Sequence, residues 1–439
     1  MKSRARSHGL SAATAAAALV LAATSGWTAA PAASADTTPP VEIAPAATET
    51  FAYPGAARIL ADRGITLTRG DGGITLTDCA NGNYQIKLGA ITSDPSDGDT
   101  ICFNAPGAGG YLALTIPDAY RINTYGRSIR ASLTTNQGPL ETVDVAANAT
   151  KGIGESLDPN SHAVVLELRI TGTSAALPAP QPTDPALAHV AKLNIGDGKR
   201  SCTAALVDRN WLLTAASCFT DNPDNPSTVT AGAPQDRTTA VIGRTDLTNT
   251  ATGAVVEVVG LVPRQDRDLV MARLGTPVDA IAPAALATTV PATGESLRAP
   301  GFGRTATDWV PTKIHTTTHT TGTLTDTTLA TDPATGQAPV CQGDAGAPLL
   351  RNTNGTTEIA AVATRSWQGG CLGTDPAELR TGATSTRVDD LGSWIQQVAA
   401  LDTPLAGNWD GAGPDNVGIW RPSTGEFHLR MDDGSNVKV

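Results

Sequence analysis

Two short segments that contain cysteine hold residues of clear chemical interest. One reads Cys341-Gln-Gly-Asp-Ala-Gly-Ala-Pro348, and its glycines allow a tight loop. The other reads Trp211-Leu-Leu-Thr-Ala-Ala-Ser217-Cys218. Covalent catalysis needs a nucleophile beside a general base. Ala345 offers only a methyl group, and the Ser217 hydroxyl holds its proton too tightly near pH 7 to be a base. Neither segment therefore supplies a nucleophile with its base.

The first segment resembles the Gly-Asp-Ser-Gly-Gly-Pro loop of chymotrypsin-like serine proteases. The second resembles that family's Thr-Ala-Ala-His-Cys signature. Further matching segments follow in family order, and the resemblance spans about half of the chain, from Val190 to Ala400. These segments are residues 268–274, 301–304, 366–371, 382–388 and 390–397. The resemblance implies an all-β protein, a chymotrypsin-like double β-barrel preceded by a small antiparallel β domain.

The resemblance also implies a role for each matching position. Asp268 is the retained triad carboxylate, Ser217 stands at the histidine position, and Ala345 stands at the nucleophilic serine position. The backbone amides of Gly343 and Ala345 would form the oxyanion hole. Without nucleophile and base, only about 10³- to 10⁴-fold acceleration over water is expected. Three further residues are expected to line the cleft and to offer an edge for an extended peptide: Ser366, Trp367 and Gln368.

Two departures from the family pattern bear on the cleft. No Arg-Ile-Val-Gly-Gly-like activation site precedes the domain, so a freed amino terminus that would pair with Asp344 is not evident. Pro339 stands where trypsin-like members carry an acidic pocket residue. A peptide in this cleft is therefore expected to present a neutral side chain.

The amino terminus predicts export. Lys2, Arg4 and Arg6 precede a short apolar stretch and the small residues that end at Ala35, which is typical of a cleaved signal peptide over residues 1–35. Cleavage near Ala35 would leave 28 basic against 42 acidic residues, a formal charge of −14. Such a surface disfavours nucleic acid as a partner. No other segment is long and apolar enough to span a membrane.

Six cysteines in an exported chain predict three disulfides. Order and spacing pair them as Cys79–Cys102, Cys202–Cys218 and Cys341–Cys371, and the last two pairs match bridges of the chymotrypsin-like fold. A zinc site would need closer cysteine spacing and nearby histidines. We therefore expect no metal and no cofactor at the cysteines.

The histidines offer no clear replacement for the missing base. His315 and His319 lie in a threonine-rich run that favours a strand. Four residues apart on a strand, they would lie about 13 Å apart, too far to share one metal.

Composition divides the remainder of the chain. Residues 36–50 are polar and rich in proline, which predicts a disordered lead. Residues 51–174 carry short alternating runs typical of a small β domain. Residues 175–188 are a Pro-rich linker, residues 189–400 are the trypsin-like domain, and residues 401–439 are a separate tail.

The tail, residues 401–439, resembles one FG-GAP/VCBS-like repeat. Asn408, Asp410 and Asn416 are weak calcium candidates, because Ala412 stands where a further ligand would be expected. One such unit cannot bury its own apolar face, since repeat folds need about three.

The leading interpretation is a secreted, catalytically inactive trypsin-like serine protease homologue that binds a peptide, a protein or a cell-envelope partner. Two alternatives stay open: a hydrolase related to serine endopeptidases with weak or altered activity, and a structural module that presents surface repeats.

Overall fold

The computed structural model describes residues 42–91, 100–158, 160–174, 177, 179–353, 355–400, 403–409, 411, 413, 415–421 and 426–439. The predicted signal peptide, residues 1–35, lies outside these residues. The chain divides into two units, Met1–Ile43 and Ala44–Val439, and every element named below belongs to the second. Among the described residues, no helix is long and apolar enough to cross a membrane.

An antiparallel sheet follows a short helix, α1 (Ala56–Arg63), near the start of the second unit. Its strands, within the described residues, are β1 (Thr66–Gly70), β2 (Thr75–Thr77), β3 (Ile86–Ala90), β4 (Thr100–Asn104), β5 (Tyr111–Thr124), β6 (Arg127–Thr135), β7 (Leu140–Val145), β8 (Thr150–Gly152) and β9 (Ala163–Thr173). They pair in the order β2-β4-β3-β5-β9-β6-β7, and β1 and β8 also pair with β5. Leu112, Leu114 and Ile116 alternate along β5 and are buried, because successive side chains on a strand point to opposite faces. The sheet forms the small antiparallel β domain that the sequence predicts.

The first barrel of the following domain is closed and antiparallel. Its strands pair in the order β10-β11-β12-β15-β14-β13, where these are β10 (Val190–Ile195), β11 (Arg200–Asp208), β12 (Trp211–Thr214), β13 (Thr238–Ile242), β14 (Ala254–Arg264) and β15 (Leu269–Leu274). Closure leaves no unpaired sheet edge. The short helix at Ala216–Phe219, directly after β12, carries Ser217.

The second barrel has the same antiparallel pattern, and β21 pairs with β22 to close it. Its strands are β16 (Ala285–Leu286), β17 (Ser296–Gly301), β18 (His315–Leu324), β19 (Thr328–Pro333), β20 (Pro348–Thr353), β21 (Thr356–Ser366) and β22 (Ala383–Arg387). The short β16 pairs with β21 in parallel. Helix α2 (Gly392–Ala399) follows and buries Ile395 and Val398. The double β-barrel implied by the sequence is therefore confirmed.

The predicted linker is docked where the structure describes it. The Thr183 hydroxyl donates to the Gly243 carbonyl at 2.9 Å, and the Asp184 amide donates to Thr245 Oγ1 at 3.1 Å. At the carboxyl end, four strands form a separate antiparallel sheet, β23 (Thr403–Gly407), β24 (Asn416–Arg421), β25 (Glu426–Arg430) and β26 (Asn436–Lys438).

The N-terminal sheet and the barrels share buried residues. Trp309, from the loop between β17 and β18, is 2% exposed and belongs to the apolar core of the N-terminal sheet. Its ring meets Tyr53 edge to face, with centroids 4.9 Å apart. The second barrel domain therefore supplies part of the core of the N-terminal sheet.

The expected disordered lead over residues 36–50 needs correction in its described part. Ala47, Thr48 and Glu49 are buried, and residues 44–49 lie extended across the barrels. Composition predicted disorder because these residues have little apolar surface to bury, but main-chain hydrogen bonds hold the segment in place.

Candidate functional site

The loop 341–348 is held in a conformation that demands glycine. Gly346 has a φ of +87°, and a Cβ there would lie 2.0 Å from both the Thr203 carbonyl oxygen and Thr214 Oγ1. The disulfides Cys341–Cys371 and Cys202–Cys218 tie this loop and the Ser217 segment to the barrels, and Cys79–Cys102 closes the N-terminal sheet. All three predicted pairings are present.

Asp344 fixes the loop from inside. Its Oδ1 accepts from the Gly303 amide at 2.9 Å, and its Oδ2 accepts from the Cys341 amide at 3.0 Å. A Cβ on Gly303 would lie 2.4 Å from the carboxyl carbon of Asp344. The carboxylate therefore occupies the space that this glycine leaves open.

The basic side chains of His315 and Lys192 interact with Asp344. His315 Nε2 lies 3.5 Å from its Oδ1. Burial lowers the pKa of His315, but the Asp344 carboxylate outweighs burial, so the net shift is upward. Burial also lowers the pKa of Lys192 to about 8, and the Glu49 and Asp344 carboxylates limit that fall. The Asp344 carboxylate thus favours the charged form of both His315 and Lys192.

Ser217 and Asp268 lie together but lack an imidazole. Asp268 Oδ1 accepts from the Ser217 amide at 2.8 Å. The Ser217 Oγ and Asp268 Oδ2 atoms are buried and have no hydrogen-bond partner among the described residues. Burial raises the pKa of Asp268, and the Ser217 amide partly offsets that rise. This pair can orient a donor, but Ser217 supplies no imidazole to take a proton.

The amides of Gly343 and Ala345 converge on one carbonyl oxygen. Both donate to the Ala47 oxygen, at 2.7 Å and 3.1 Å. The sequence assigns these two amides to an oxyanion hole, and the structure shows that they hold a peptide carbonyl of the chain itself. Two amides aimed at one oxygen polarise that carbonyl.

Residues 44–49 add a strand to the cleft and pair with both of its walls. On one side, the Ala47 amide donates to the Thr364 oxygen at 2.9 Å, and the Ser366 amide donates to the Pro45 oxygen at 3.0 Å. On the other side, Glu49 and Ser201 exchange amide-to-carbonyl bonds of 3.1 Å and 2.9 Å. This is an intramolecular case of β-augmentation. We call residues 44–49 the cleft segment.

A buried ion pair anchors the downstream end of the cleft segment. Arg304 Nε and Nη2 donate to the two carboxylate oxygens of Glu49 at 2.5 Å and 2.7 Å. Glu49 is 2% exposed and Arg304 is 5% exposed. Bidentate pairs of this kind are the strong ones.

The upstream end is held from one side of the cleft. Arg365 donates to the Ala44 oxygen at 2.9 Å and to Asp224 Oδ1 at 3.0 Å. The same Asp224 oxygen accepts from the Ala46 amide at 3.1 Å. The cleft segment is therefore fixed at both ends.

The predicted cleft residues differ in their contacts. Ser366 pairs with the cleft segment, whereas the Trp367 amide donates to the Gly382 oxygen at 3.1 Å and its ring lies 3.5 Å from the Arg380 guanidinium. Gln368 has a φ of +63°, and its amide donates to Ser366 Oγ at 3.0 Å. The pairing edge is thus Thr364 to Ser366, two residues earlier than expected. The resemblance of residues 366–371 to the strand that lines the family's cleft did not fix this register.

The two described calcium candidates, Asn408 and Asn416, use their side-chain amide groups as hydrogen-bond donors. The Asn408 side-chain amide donates to the Gly413 oxygen at 3.0 Å, and the Asn416 side-chain amide donates to Asp432. Asp410 lies outside the described residues.

Comparison with known proteins agrees with the barrels and the loops between them. A family model described as Trypsin matches residues 180–395. This region is a trypsin-like domain. A search of curated proteins found no match.

Proposed function

We propose that the chain is a secreted, catalytically inactive homologue of trypsin-like serine proteases whose cleft binds extended peptide. One observation carries the proposal. The Gly343 and Ala345 amides donate hydrogen bonds to the carbonyl of Ala47, while Ala345 has a methyl group in place of a nucleophile. Peptide positioning is therefore kept and the attacking group is missing.

The remaining groups explain why binding and catalysis separate. Backbone amides bind a carbonyl whatever side chain Ala345 carries, so the substitution leaves peptide binding intact. Attack would require a hydroxyl at position 345 and an imidazole between it and Asp268. Ser217 has no such ring, and its hydroxyl does not titrate in the range that general-base catalysis needs.

Restoring the missing groups tests this proposal. The native chain and the double variant Ser217→His/Ala345→Ser are incubated with labelled casein, and their own masses are followed. We expect the native chain to be silent. We expect the double variant to cut its own Ala47–Thr48 bond, because the Ala47 carbonyl already lies on both amides.

A matched control separates this chemistry from a contaminant. Adding Asp268→Asn to the double variant removes the carboxylate that orients the imidazole, and such a change lowers kcat by about 10⁴-fold. The proposed inactivity is contradicted if the purified native chain cleaves casein and keeps this activity after treatment that removes contaminating proteases.

A second candidate, a module that presents surface repeats, is favoured by the separate sheet β23–β26. Under this candidate, contact with the cell envelope depends on residues 401–439. Deleting them should abolish retention on isolated envelopes and leave the cleft unchanged. Retention by the shortened chain would refute the module.

Three disulfides agree with an oxidising, extracellular location.

A further inference from the structure

We infer that the cleft segment is a tethered ligand that a peptide from another molecule can displace. The peptides that bind in its place carry a small residue followed two positions later by glutamate. The inference rests on the proposed peptide binding and names both its ligand class and its regulation. It follows from four features of the bound segment.

The first feature is that the main-chain contacts are general. Both walls of the cleft meet the segment through amides and carbonyls of Thr364, Ser366 and Ser201. Any extended peptide can supply the same groups, since every residue except proline carries one donor and one acceptor. Selectivity must therefore come from side chains at particular positions.

The second feature is the small pocket that receives Ala47. This residue is 0% exposed and belongs to the same buried cluster as Val340, Ala345, Ala363 and Ala383. Cores at native packing density do not accept extra methylene groups without displacement of their neighbours. The position therefore takes a small side chain, and a large one is excluded.

The third feature is the acid two residues downstream. Arg304 meets Glu49 with two donors, and it also donates to the Ala52 and Leu372 oxygens at 3.1 Å and 3.4 Å. A neutral or basic residue in place of Glu49 leaves a buried guanidinium without a counter-ion. Arg304 therefore selects glutamate at this position.

The fourth feature is the tether. Just after the cleft segment, the Gly70 amide donates to the Phe51 oxygen at 3.1 Å, and the Tyr53 amide donates to the Thr68 oxygen at 2.9 Å. The N-terminal sheet thus holds the segment beside the cleft. Such tethering acts as a local concentration on the order of millimolar. An outside peptide must displace the segment before it can bind.

Opening the cleft in the full chain tests the inference. Ala47→Trp makes the residue too large for its pocket, and Glu49→Lys places a like charge beside Arg304. Binding of a labelled peptide, Pro-Ala-Ala-Thr-Glu-Thr-Phe, is measured by fluorescence anisotropy with each opened variant and with the native chain. We expect each opened variant to bind it about 100-fold more tightly than the native chain does.

Three controls test the chemistry of recognition. Thr50→Lys, at an exposed neighbouring position, should bind as weakly as the native chain. Adding Arg304→Gln to Ala47→Trp should weaken peptide binding about 30-fold or more. A peptide with glutamine in place of glutamate should bind the Ala47→Trp variant more weakly by a similar factor.

The outcomes separate this inference from the proposed inactivity. Amide exchange verifies that residues 44–49 are released, and circular dichroism verifies the fold. If both opened variants keep the fold, release the segment and bind no peptide, the inference is overturned. Equal binding of the glutamate and glutamine peptides overturns the selectivity for glutamate. If the peptide binds but is recovered cut, the ligand class stands and the inactivity fails.

Discussion

The substitution Glu49→Gln offers the most direct measure of how firmly the cleft is closed. It keeps the shape of the side chain and removes the charge that faces Arg304, at a site where both partners are at most 5% exposed. Removing one member of a buried pair typically costs about 3–5 kcal/mol. Arg304 keeps two carbonyl acceptors, those of Ala52 and Leu372. We therefore expect a loss near the lower end, about 3 kcal/mol.

Release of the cleft segment limits this loss, because a detached segment lets water reach Arg304. Urea unfolding measures the loss in global stability, and amide exchange at residues 44–49 measures the release. We expect protection of the Ala47 amide to fall by at least about 100-fold, which corresponds to about 2.7 kcal/mol.

The exposed pair Arg169–Glu167 provides the control. Its two side chains are partly in solvent, so Glu167→Gln should cost less than about 1 kcal/mol. If Glu49→Gln costs no more than this control and the Ala47 amide keeps its native protection, the Glu49–Arg304 pair does not hold the cleft segment in place.

Three further changes have defined outcomes. Gly346→Ala should destabilise the chain by at least about 2 kcal/mol in urea, because its Cβ would meet Thr203 and Thr214; a loss below about 0.5 kcal/mol would contradict the loop geometry. Lys192 has a pKa of about 8 when folded. The unfolded chain therefore binds more protons between pH 8 and 10.5, so stability should rise with pH by up to about 3 kcal/mol relative to Lys192→Met. If the stability of Lys192→Met depends on pH in the same way as that of the native chain, Lys192 is not the source of the rise. Replacing Cys79 and Cys102 by alanine should cost about 3 kcal/mol, since their bridge closes a separation of 23 residues; unchanged unfolding of the N-terminal sheet would show that the bridge is not needed.

The sequence predicted the parts of the site that depend on local chemistry. Each of these parts meets a specific steric or covalent demand, so it is visible as a short pattern in the sequence. They are the glycines and Asp344 of the loop 341–348, and the cysteine pairs. Gly303, for example, must lack a Cβ because the Asp344 carboxylate lies against it.

The sequence did not predict that residues 44–49 occupy the cleft, and the reason is physical. Pro45, Ala46 and Ala47 are small and give no alternating apolar pattern, and their attachment comes from main-chain groups that every sequence carries. The one specific signal is Glu49, and its meaning depends on Arg304, more than 250 residues later in the chain. Long-range pairings of this kind leave no local pattern in one sequence.

The position of Trp309 couples the folding of the N-terminal sheet to that of the second barrel. Its ring fills the core of the N-terminal sheet although the residue belongs to the trypsin-like domain. The sheet therefore lacks part of its interior until the second barrel has formed, and Trp309 loses this apolar packing if the sheet melts. Heat should unfold the two domains in a single transition, so damage to either one is felt by both.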